Sequence, residues 1–147
     1  MEILINLLFW VHLMALVGGG ASSVAMPIIG GKIASSDGAT RQTLFEIAGR
    51  ISTVGRGALG GLIITGILLF WLRWNFSAPS MIWFGIKMAL VLLLLGCVIV
   101  GGINFKKARG GDRAAAQTAA LAGRIAGLTL AGVVLAAVFA FNWTPVA

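Results

Sequence analysis

The residues able to do chemistry are few, and they sit in apolar surroundings. The chain has one histidine, His12, in "FWVHLMALVGGGASS" (9–23), and one cysteine, Cys97, in "LLLLGCVIV" (92–100). Lys87 stands near the start of another apolar run, "WFGIKMALVLLLLG" (83–96). An imidazole in such a run either donates a hydrogen bond to a neighbouring helix or ligates haem iron or a metal ion. The helical face of His12 continues through Leu16, Gly19 and Ser23. Its two small residues leave room for a flat macrocycle or for a closely packed helix. A lysine within an apolar helix either snorkels to the headgroups or meets a partner inside the bundle. Cys97 reads as a small apolar filler.

Other chemistries lack their parts. Zinc needs four ligands, and one His, one Cys and no carboxylate in an apolar segment do not supply them. A copper site calls for thiolate or thioether beside the imidazole. Met14 is two positions from His12 and points elsewhere, while Met81 and Met88 share a face that has no histidine. The only acids are Glu2, Asp37, Glu46 and Asp112, so no carboxylate relay runs through an apolar segment. Nucleophilic triads fail for want of a second histidine or a buried acid, and the glycine runs lie in apolar helices rather than after strands. Any chemistry must then be carried by a cofactor.

The elements that must position these residues follow from composition. A charged fraction of 10% and a mean hydropathy of +1.02 set the chain apart from soluble domains, where about 25% of residues are charged. Four segments, 3–29, 53–74, 81–104 and 117–142, have the roughly 20 apolar residues that a membrane crossing takes. They lack the alternation of barrel strands. The expected fold is all-α: one domain of four transmembrane helices in an up-down bundle. "TRQTLFEIAGRISTVGR" (40–56) keeps Leu44, Ile47, Ile51 and Val54 at helical spacing, so the second helix is expected to start near Thr40 and protrude by roughly 20 Å. "SSDG" (35–38) supplies its turn and cap.

Cations flank the segments unevenly. Lys32, Arg41, Arg50 and Arg56 lie in or beside the first connection, and Lys106, Lys107, Arg109, Arg113 and Arg124 in or beside the third, against Arg73 and Lys87 on the other side. The positive-inside rule makes both basic connections cytoplasmic and both termini extracytoplasmic, in a bacterial inner membrane. Met1 and Glu2 offer no positive n-region, so the first helix is expected to be retained. The net charge of +7 accompanies no nucleic-acid motif, and contact with anionic lipid headgroups accounts for it.

Small residues recur every four positions in the last helix, at Ala115, Ala119, Gly123, Gly127 and Ala131. Gly57 with Gly61, Gly18 with Ser22 and Gly19 with Ser23 repeat the theme. Such stripes let helices approach closely, within the bundle or in a homo-oligomer or larger complex. All five tryptophans, Trp10, Trp71, Trp74, Trp83 and Trp143, belong to the outer side. They form an aromatic belt, or Trp10 and Trp71, which lie deeper, wall a pocket. His12 and Lys87 lie at similar depths, roughly 13 and 9 Å below the outer helix ends.

The order of "WVHLMALVGG", "GRISTVGRGALGGLIITGILL", "WFGIKMALVLLLLG" and "AGRIAGLTLAG" resembles the HemJ-type and CopD-like four-helix membrane proteins. The HemJ-type family is associated with haem b and with oxidation of protoporphyrinogen, and its first-helix histidine and third-helix lysine match His12 and Lys87. CopD-like relatives are linked to copper handling. The chain differs in having "AMPIIGGK" where a second histidine belongs, and "GRIAGL" where an Asn-Glu pair follows the helix-four arginine.

The resemblance implies a haem b or porphyrin site serving redox or tetrapyrrole chemistry, with His12 as axial metal ligand. Lys87 is the candidate catalytic residue, holding a propionate or substrate carboxylate. Trp10, Gly19, Trp71 and Trp83 are expected to shape the cofactor pocket. The alternatives are a non-catalytic accessory or assembly subunit of a membrane complex, in which His12 bridges two helices, and copper or small-solute transport.

Overall fold

The computed structural model describes residues 2–74 and 81–142, all but the interhelical turns in four long helices. They are α1 (Glu2–Ala34), α2 (Gly38–Trp74), α3 (Met81–Arg109) and α4 (Arg113–Asn142). Each is long and apolar enough to cross a membrane. The helices run alternately up and down. Glu2, Trp74, Met81 and Asn142 define the terminal end of the bundle; the 35–37 and 110–112 connections, with most cations, define the basic end.

α1 packs along α2 and α3 along α4, with α1 also against α4, while α2 and α3 touch only narrowly. The molecule is therefore two antiparallel hairpins joined along a seam. The middle of that seam is Leu59 from α2, Leu94 from α3 and Ala126 with Leu130 from α4, flanked by Leu16, Ile63 and Cys97. Cys97 packs there as the apolar filler its surroundings imply.

α1 does not stop at residue 29. It continues through "GGKIA" because Ile33 finds a buried place against Phe45 and Ala48 of α2, beside Met26, Ile29 and Phe105. That burial outweighs the poor helix propensity of Gly30 and Gly31. The extension expected of α2 alone is thus a two-helix hairpin with its own apolar cluster. Pro27 lies within α1 and removes the amide that the Ser23 carbonyl would otherwise accept from.

The two short turns close differently. At 35–37, Ser35 and Ser36 hydroxyls donate back to the Lys32 carbonyl at 3.2 and 2.7 Å, so they finish α1. At 110–112, Gly111 has φ of 99°. Its amide donates to Ala108 O, and the Asp112 amide to Lys107 O, a Schellman closure of α3. The Asp112 carboxylate then accepts from the Ala115 amide at 3.0 Å and caps α4.

The close-packing seam of α4 is not the interval-of-four stripe. Ala115, Ala122, Thr129 and Ala136 are buried at intervals of seven, as are Ala126 and Ala140 at twice that interval. Ala131 is exposed. A step of four residues turns about 400°, so the stripe drifts about 40° per step and leaves the interface by Ala131. A seven-residue repeat stays on it, as in left-handed coiled packing. Gly127 has Ser23 of α1 beside it, while Gly123 has nothing within 4 Å of where a Cβ would stand.

On α2 the close contact is at Gly55, opposite Ser22, and at Gly61, opposite Ala15; Gly57 meets nothing.

Candidate functional site

The α1–α2 register decides the surroundings of His12. Ser22 lies against Gly55, Gly18 and Gly19 against Ala58, and Ala15 against Gly61. Continuing this antiparallel pairing one turn toward the terminal end brings His12 opposite Thr65. Its Nδ1 lies 2.7 Å from Thr65 Oγ1. The ring lies against Gly66, where a Cβ would stand 3.4 Å from His12 Cε1.

The direction of that hydrogen bond follows from the next one. Thr65 Oγ1 donates its single proton to the Gly61 carbonyl at 2.6 Å. It has only lone pairs left for the imidazole, so Nδ1 carries the proton and donates. In the neutral ring Nε2 is then the unprotonated nitrogen, available as an acceptor or metal donor. Thr65 is buried and His12 is half-buried.

Lys87 stands on α3, at a depth below the terminal end similar to that of His12. Its ammonium lies 5.2 Å from the centre of the Phe141 ring of α4, a cation–π distance. Above it, toward the terminal end, Phe84 stacks on Phe70 of α2 at 4.1 Å and meets Phe141 edge-on at 6.3 Å. Trp83 stacks on Phe139 at 4.8 Å. The lysine points to an aromatic cluster drawn from three helices. No acid occurs between Glu46 and Asp112 or between Glu2 and Asp37, so the chain supplies no carboxylate for Lys87 at this level.

His12 and Lys87 stand on α1 and α3 at similar depths below the terminal end, and Trp83 stacks on Phe139 of α4. Trp10 and Trp71 are 57% and 55% exposed and face outward, the disposition of a belt rather than of pocket walls. Gly19 packs against α2, with Ala58 and Leu62 at 3.8 and 4.0 Å from where a Cβ would stand. Trp143 and the Trp74 side chain lie outside the described residues. Among the described residues no group of three His, Cys, Asp or Glu side chains converges to hold a metal ion.

Three contributors were not singled out from sequence. Thr65 stood unmarked within "GRISTVGRGALGGLIITGILL"; Phe84 and Phe141 had no spacing that distinguished them from other apolar residues. Compared with known protein families, with curated proteins and with solved structures, the chain matches none.

Proposed function

We propose that this is a multi-pass membrane protein, with both termini extracytoplasmic, whose His12–Lys87 site binds haem b or a related porphyrin for redox or tetrapyrrole chemistry. The observation that carries the reading is the Gly61–Thr65–His12 chain of hydrogen bonds. It fixes the tautomer and the ring, the arrangement that orients an imidazole for a metal, and leaves Nε2 free. The membrane setting is supported by large apolar side chains turned outward, such as Leu92 and Leu128 at 66% and 77% exposure.

His12 would hold the haem iron and Lys87 a propionate, and bound haem would supply one-electron chemistry. Thr65 holds His12, and the phenylalanines keep the lysine's surroundings apolar. The purified protein is expected to show a Soret band, with near-stoichiometric haem b by pyridine haemochrome. His12→Ala is expected to abolish that absorbance, and a variant keeping its full spectrum refutes the assignment. Lys87→Met is expected to weaken retention while leaving the band position unchanged.

One observation favours a second reading. Ala58 and Leu62 fill the room beside Gly18 and Gly19, and Nδ1 already has its partner, so His12 also suits a polar stitch in an accessory subunit. A colourless, folded protein that co-migrates with a large complex on native electrophoresis in mild detergent selects this reading over the first.

A further inference from the structure

The narrow contact between α2 and α3 leaves a crevice at the basic end, lined by Arg56 of α2 and by Val98, Ile99, Gly102, Ile103 and Lys106 of α3, with a volume of about 240 Å³. Gly102 forms its floor: a Cβ there would stand 3.9 Å from Arg56 Nη1, so the guanidinium lies across the bare backbone of α3. The floor runs through Val98, Gly102 and Lys106, successive positions on one helical face spanning about 12 Å. Two cations and three branched apolar side chains line it, and no acidic one.

Depth gives this combination a meaning. Counting from Trp74, Arg56 lies about 27 Å along α2, and counting from Met81, Gly102 lies about 31 Å along α3. A hydrocarbon core of about 30 Å ends there. Arg56 and Lys106 stand at headgroup level and Val98 and Ile99 at the level of the first acyl carbons. A free anion would have no use for the apolar half of the crevice, and a zwitterionic lipid would bring its own cation against the paired ones.

We propose that this crevice is a binding site for an anionic phospholipid of the leaflet at the basic end. The phosphate lies between Arg56 and Lys106, and one acyl chain lies along Val98 and Ile99. Arg56 donates to phosphate oxygens through its guanidinium fork, and Lys106 contributes a mobile point charge. The proposal rests on the membrane-spanning reading but not on haem. A colourless protein leaves it standing, and a haem-bearing protein without lipid preference removes it alone.

The test is native mass spectrometry of the protein in mild detergent, titrated with phosphatidylglycerol, with phosphatidylcholine of the same acyl chains, and with inorganic phosphate. Phosphatidylglycerol is expected to be retained preferentially, and phosphate not to displace it. At roughly five-fold per cation near a membrane surface, the double variant Arg56→Gln/Lys106→Gln is expected to lose about twenty-five-fold in retention. Arg56→Lys/Lys106→Arg, which keeps both charges, should retain most of it, and Lys32→Gln/Arg113→Gln should retain all of it. Gly102→Leu fills the crevice while leaving both cations in the chain and is expected to weaken retention too, with thermal melts confirming that each variant is folded. Equal retention of the two lipids overturns the proposal. So does displacement by phosphate, an equal loss in the Lys32/Arg113 pair, or full retention in folded Gly102→Leu.

Discussion

Thr65 decides which nitrogen of His12 is on offer. Replacing it by Val removes the acceptor and strands a partly buried Nδ1–H, at a cost of about 1 kcal/mol. Thr65→Ser should recover most of it, as read from the thermal unfolding midpoint in detergent. If haem is bound, Thr65→Val is also expected to broaden or shift the Soret band, because the ring is no longer held in one orientation. His12 and Lys87 were legible in sequence because a polar group in an apolar run is rare enough to be noticed. Thr65 was not, since hydroxyls on helices ordinarily satisfy themselves on their own backbone. Ser23, Thr43 and Thr118 each do so four residues back. Nothing in sequence marks Thr65 as a hydroxyl that also accepts across to another helix.

At the level of helices, the glycines divide by what faces them. A Cβ on Gly55 would stand 3.0 Å from Ser22 Cβ, whereas one on Gly60 meets nothing within 4 Å. Gly55→Ala is therefore expected to push α1 and α2 apart and lower stability by about 1–3 kcal/mol. Gly60→Ala should be neutral or raise stability by up to about 1 kcal/mol. Steric trapping or urea titration in detergent separates the two, and equal effects would contradict the register. Asp112→Ala removes the cap of α4 and is expected to cost about 1 kcal/mol by the same measurement. The existence and number of helices could be read from hydropathy. Their ends could not, because Ile33 extends α1 only by packing on Phe45, a contact between chain segments that local propensity does not contain. The seam of α4 was left open for a related reason. Small residues at intervals of four and of seven coexist in its sequence, and only the neighbouring helices select between them.

For the whole molecule, the distribution of cations makes a topological prediction. Reporter fusions or thiol labelling should find residues beside Glu2 and Asn142 outside the cytoplasm, with the 35–37 and 110–112 turns inside. The opposite result would invert the leaflet assigned to the Arg56–Lys106 crevice as well. The pairing of helices adds a second prediction. Residues 1–77 and 78–147, co-expressed as separate chains, are expected to associate in the membrane, measured by co-purification on a single tag. Each hairpin carries a long interface of its own, while the contact between hairpins is carried mainly by α1 against α4. The first hairpin can thus be complete before the second has been synthesised. His12 and Thr65 belong to the earlier half, Lys87 and Phe141 to the later one. On the proposed reading the imidazole waits, already aimed, for a lysine that arrives only when the halves close, and a ligand that needs both cannot be loaded on an unfinished chain.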